Sequence, residues 1–162
     1  MATPYRSPFG LPDEHMRLVG IIAAHWEAID LLLQRGVAEI MSRELHEVRL
    51  LTENLSVPAK LDLLVAHARD ALPTAKFKSF NKAIKAVQEA YGKRNGYVHA
   101  KWDSENDETD PWRITVRTRG GRISIIQKPT PIEELIEAAK ELINAGDTLT
   151  ATLQAYGLLK GS

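Results

Sequence analysis

The sequence predicts a mainly α fold, an up-down bundle of four to five helices with a β-hairpin inserted before the last one. Three observations predict it. Apolar residues recur at three- and four-residue steps over most of the chain, the period switches to two only around Gly120-Gly121, and proline or a capping residue stands at each helical start. The 162 residues read as one domain, long enough to bury a core.

Residues 1–12 carry Pro4, Pro8, Gly10 and Pro12 and form an extended arm without periodicity. Asp13 caps a first helix to about Met41, with Leu18, Ile22, Ile29, Leu33, Val37 and Ile40 on one face. A polar stretch of ambiguous helical character follows. Ser56 before Pro58 then starts a helix with Leu61, Leu64, Val65 and Ala68 inward, ending before Pro73. A third long pattern starts at Thr74 or Ala75 and runs through Phe77, Phe80, Ile84, Val87 and Tyr91.

The acidic segment from Asp103 to Asp110 lacks the central glycine and distal glutamate of a calcium loop and reads as solvated. Residues 112–128 form the hairpin, with Val116 facing Ile125 and Thr118 facing Ile123, and Ile114 on the same side. That apolar face is expected to pack down. The other face opposes Arg119 to Arg122 and Arg113 to Lys128, a repulsive arrangement that calls for an anion nearby, the acidic loop ahead of an RNA backbone. Thr130-Pro131-Ile132-Glu133 reads as a capping box opening the last helix, whose inner face is Leu135, Ala138, Ala139, Leu142, Ile143, Leu149 and Leu153, with Gly146 weakening the middle.

Twenty-one basic and twenty-one acidic residues cancel, so any affinity for nucleic acid must come from a local patch. Lys78, Lys82, Lys85 and Lys93 form a stripe on the third long helix that could guide RNA, or serve simply as a solvated face beside Glu89. Cysteine is absent, which excludes disulfides and thiolate metal sites. The first residues have no secretory apolar core, and the apolar run Leu18 to Ala24 is far below the roughly 20 residues that span a bilayer. A cytoplasmic protein without membrane association is expected. His15, His46 and His67 share no ligand spacing, so neither metal nor cofactor is expected, and His25 beside Trp26 reads as a core histidine.

The chemistry concentrates in Tyr91-Gly92-Lys93-Arg94-Asn95-Gly96-Tyr97-Val98-His99-Ala100-Lys101-Trp102. An imidazole moves protons near neutral pH, and a guanidinium holds a phosphate through parallel hydrogen bonds. On a regular helix Asn95 and His99 share a face with Gly92 and Gly96, and the two glycines suggest a close helix contact, plausibly across a dimer axis. Arg94 and His99 lie about 140° apart on such a helix, so their meeting needs a local distortion, an arginine that reaches round, or two protomers sharing the site. The bland alternative has His99 capping a helix terminus and Arg94 paired with a glutamate.

The segment resembles the Arg-x4-His motif of the HEPN superfamily, in which a polar residue commonly follows the arginine, here Asn95. The resemblance covers the motif and its helical context. It implies a metal-independent endoribonuclease, a toxin or defence effector, working as a homodimer with motifs from two subunits at one cleft. RNA cleavage by 2′-hydroxyl attack would use His99 as general base or acid, Arg94 on the phosphate and Asn95 as orienting group. Lys93, Tyr97, Lys101 and Trp102 are candidate substrate contacts, with Trp102 stacking on a base. The alternative is a noncatalytic dimerisation or nucleotide-binding module of the same family. The resemblance also allows a toxin silenced by a nucleotidyl-transferring antitoxin partner, with Tyr91 or Tyr97 as the modified residue.

Overall fold

A computed structural model describes residues 11–103, 110–119 and 122–159. Five helices, α1 (Asp13–Met41), α2 (Leu45–Thr52), α3 (Val57–Ala71), α4 (Thr74–Val98) and α5 (Ile132–Ala155), accompany strands β1 (Lys101–Asp103), β2 (Trp112–Arg119) and β3 (Arg122–Pro129). α1 packs on α2, α3, α4 and α5, and α4 packs on α3 and α5, so the four long helices close around one core. No helix among the described residues is long and apolar enough to cross a membrane.

The apolar periodicity decides which faces turn inward. Leu18, Ile22, Trp26, Ile29, Leu33 and Val37 of α1 meet Leu61 and Leu64 of α3, Phe80, Ile84 and Val87 of α4, and Leu135, Leu142, Leu149 and Leu153 of α5. Gly146 does not interrupt α5. A Cβ there would stand 3.3 Å from Ile29 Cγ1, so the bare backbone lets α5 lie close to α1. Lys60 of α3 and Asp30 of α1 form a bidentate ion pair at 2.8 and 2.9 Å, and Gln34 Nε2 donates to the same carboxylate at 2.6 Å.

The caps differ from the sequence reading in detail. Ser56 Oγ accepts from the Ala59 amide at 3.4 Å, as its position before Pro58 suggests. Asp13 lies inside the first turn of α1, after Pro12, and makes no capping bond. Thr130 does not close a capping box either. Its hydroxyl donates to Lys128 O at 3.4 Å and its amide to Pro111 O at 3.0 Å, so it ties the end of β3 to the start of β2 and α5 begins one residue later than expected. The ambiguous stretch after α1 contains α2, anchored by buried Val48 and by the Thr52 hydroxyl on Val48 O.

The sheet is antiparallel in the order β1-β2-β3. The β2/β3 register opposes Val116 to Ile125, Thr118 to Ile123, Arg113 to Lys128 and Arg119 to Arg122, as the turn glycines require. β1 is an addition to the expected hairpin, pairing Trp102 with Arg113. The facing of the sheet is the reverse of expectation. Arg113, Trp102 and Lys128 share the side that meets the bundle, whereas Val116 is 50% exposed, Ile125 64% and Ile123 71% on the opposite side. Among the described residues nothing packs down on that apolar face. Charge satisfaction outweighs apolar burial at the sheet base, because Glu134 of α5 draws Arg113 and Lys128 inward at 3.5 and 2.6 Å. For Arg113 and Lys128 that anion is Glu134 of the last helix; the acidic residues 104–109 lie outside the described set.

Candidate active site

The site forms where α4 stops. Residues Val87, Ala90, Tyr91 and Tyr97 face the core at helical spacing, and Arg94 falls in the same row, three residues after Tyr91 and four after Ala90. Its side chain is accordingly only 16% exposed. α4 ends at Val98, and His99, with φ −100° and ψ 6°, leaves the helical path while its amide still donates to Asn95 O at 3.3 Å. That departure lets the imidazole turn back toward the arginine.

Arg94 Nη1 stands 2.8 Å from His99 Nε2 and donates to Asn95 Oδ1 at 3.0 Å. The guanidinium thus reaches round within one chain, and the angular gap of a regular helix needs neither a distorted turn nor a second protomer to be bridged. Because a guanidinium only donates, His99 Nε2 accepts, which assigns the neutral tautomer with its proton on Nδ1. Arg94 and His99 therefore meet each other, with a glutamate also within ion-pair distance of the arginine.

Glu27 of α1 stands beside this pair, with Oε1 3.9 Å from Arg94 Nη2. The sequence reading missed it, although the stacking of Trp26 on Tyr91, 5.0 Å between ring centres, is the helix contact that brings it there. Arg94 Nε is buried with no hydrogen-bond partner among the described residues. A half-hidden guanidinium with an orphan N–H and a carboxylate beyond hydrogen-bond distance is short of acceptors, since buried cations are ordinarily fully paired.

The remaining expected contacts divide. Lys101 is exposed on β1. Lys93 is paired with Glu141 of α5, and Lys78, Lys82 and Lys85 are exposed without a partner among the described residues. Trp102 packs half-buried against the core and donates from Nε1 to Tyr97 O at 3.3 Å. Tyr97 points inward and does not present its hydroxyl to a substrate or a modifying enzyme. Its hydroxyl donates to Glu134 Oε1 at 2.9 Å, and the Arg113 guanidinium lies 4.5 Å over its ring. Burial and the bond to Glu134 push the Tyr97 hydroxyl up to about 12, partly offset by Arg113. Burial alone would raise the Glu134 carboxyl, but hydrogen bonds from Lys128 and Tyr97 and the charges of Lys128 and Arg113 leave it below its usual value.

Gly96 meets Arg113 Nη1, 3.7 Å from the position a Cβ would take, so its open side is filled by the sheet. Among the described residues nothing lies within 4 Å of where a Cβ on Gly92 would stand. His25 is exposed on α1 and is not a core histidine; the buried one is His15, whose Nε2 donates to Thr130 O at 3.1 Å. A cleft of about 620 Å³ opens between the end of α1 and α2, lined by Arg35, Glu39, Arg43, Glu47 and Leu158, and includes none of the motif residues. The described residues contain no cluster of three or more His, Asp or Glu able to hold a metal ion. Comparison of the chain with known protein families, curated proteins and solved structures found no match.

Proposed function

We propose that the protein is a metal-independent endoribonuclease that cleaves by attack of a ribose 2′-hydroxyl on the adjacent phosphate. The observation that carries this reading is Arg94, a largely hidden guanidinium in hydrogen-bond contact with an exposed imidazole and still lacking acceptors. A phosphodiester supplies those acceptors, two oxygens against a planar fork of donors. As the phosphate draws Arg94 onto itself, His99 Nε2 is released and can take the 2′-hydroxyl proton. The 2′-oxygen then bonds to phosphorus, the bond from phosphorus to the 5′-oxygen breaks, and that oxygen gains a proton from an acid, leaving a 2′,3′-cyclic phosphate and a 5′-hydroxyl. Arg94 offsets the charge that grows on the phosphoryl oxygens, and Asn95 holds the guanidinium in place. One chain offers a single imidazole here, so a homodimer would supply the second as the acid, in keeping with the HEPN resemblance and with a toxin or defence role.

A noncatalytic nucleotide-binding or interaction module of the same family is favoured by one observation, that the His99 lone pair is already occupied by Arg94. Incubation of the purified chain with unstructured RNA in chelator distinguishes the two. Cleavage ending in cyclic phosphates, lost in His99→Ala with helicity intact, supports the nuclease. Intact RNA, or undiminished cleavage by His99→Ala, overturns it.

A further inference from the structure

β3 has the composition of an interior strand and the position of an edge strand. It pairs with β2 on one side only, and no other described strand meets its far side. Isoleucines nevertheless occupy both of its faces, Ile123 and Ile125 outward and Ile126, 45% exposed, on the side of Arg113. A solvated edge ordinarily carries charges or proline along its length, whereas apolar residues on both faces mark a strand with neighbours on either side. In β3 the basic residues and the proline stand only at the ends, Arg122 at one and Lys128-Pro129 at the other.

We infer that β3 pairs with β3 of a second copy of this chain, antiparallel about a two-fold axis, joining two three-stranded sheets into one of six. A two-fold contact is self-complementary, so the strand that lacks a neighbour is also the strand that supplies it. Side chains opposed across an antiparallel pair lie on one face, and charge chooses between the two registers that keep most of the strand paired. Centring the axis on Ile125 would oppose Arg122 to the partner's Lys128, a like-charge pair. Centring it on Ser124 opposes Ile123 to the partner's Ile125 and Arg122 to the partner's Ile126, so four isoleucines meet on the outward face without repulsion. The contact is a single strand pair, smaller than the roughly 800 Å² per partner of a standard interface, so association is expected to be reversible. This surface stands independently of the proposed nuclease activity.

Sedimentation equilibrium of the full chain from about 1 to 500 μM tests it. Wild type is expected to pass reversibly from monomer to dimer. I123E and I125K, both at exposed positions and checked for unchanged helicity, should each weaken association at least tenfold by placing a charge against an isoleucine. The double variant I123E/I125K sets opposite charges across the axis twice and should regain most of the association. A chain that stays monomeric throughout, single variants that dimerise like wild type, or a double variant no better than the singles would each overturn the inference.

Discussion

The Tyr97, Glu134, Arg113 and Lys128 cluster fixes where α4 stops relative to the sheet, and a double-mutant cycle measures how strongly. Tyr97→Phe removes the hydroxyl that donates at 2.9 Å to Glu134 Oε1 and leaves the ring under Arg113. A hydrogen bond to a charged acceptor contributes about 1.5–3 kcal/mol, and the carboxylate keeps two cationic partners, so the lower end, about 1.5 kcal/mol, is expected. Glu134→Gln removes the charge facing Arg113, 18% exposed, and Lys128, 53% exposed. The Lys128 pair is screened by solvent and adds little, so most of a loss of about 2–3 kcal/mol comes from the uncompensated Arg113. The double variant should be less destabilised than the sum by about 1 kcal/mol, because the shared hydrogen bond is lost only once. Urea unfolding at pH 7 with a common m-value reads all four corners. Glu134 is held below its ordinary carboxyl value when folded, so its contribution is present above the unfolded value of 4.5 and fades as pH falls through the folded one; the Glu134→Gln variant lacks that fading. Single losses that add to within about 0.3 kcal/mol would refute the coupling.

Two further outcomes follow from packing. Lys60→Met strands Asp30, whose side chain is 17% exposed, without its cation and should cost about 3 kcal/mol by the same unfolding assay; a loss under about 1 kcal/mol would mean that Gln34 and water satisfy the carboxylate. Gly92→Ala meets open space in the middle of α4 and should raise stability by about 0.5–1 kcal/mol with dimerisation unchanged, whereas weakened association would place a partner against the glycine face.

The four long helices were legible because each rests on a repeated signal, whereas α2, eight residues long, is ambiguous in the sequence. α1 spans Asp13–Met41 as its stripe requires, and α4 starts at Thr74 after Pro73. Hairpin register was legible for the same reason, since the two glycines leave one pairing that keeps Val116 opposite Ile125. Which side of the hairpin faces the bundle was not, because that choice is made by Glu134, 21 residues from Arg113 in sequence. A period of two identifies an apolar face without saying what meets it. β1 escaped notice because three residues, Lys101–Asp103, are too few to show alternation. Within the site, the union of Arg94 with Asn95 and His99 could be posed but not decided from spacing, as it depends on His99 leaving the helix. The burial of Arg94 was readable from its place in the row of Ala90 and Tyr91, while the inward turn of Tyr97 needed its partner from α5.

The claim on which the functional reading rests is that Arg94 and His99 receive a phosphodiester. Nitrogen-15 NMR of the Arg94 Nε–H and the His99 ring, during titration with an RNA oligonucleotide blocked by one 2′-deoxyribose at the scissile position, tests it most directly. Both resonances should shift saturably with the same Kd, with the His99 shift reduced in Arg94→Lys. Resonances that stay unmoved at saturating oligonucleotide, or move only as salt alone moves them, would contradict it.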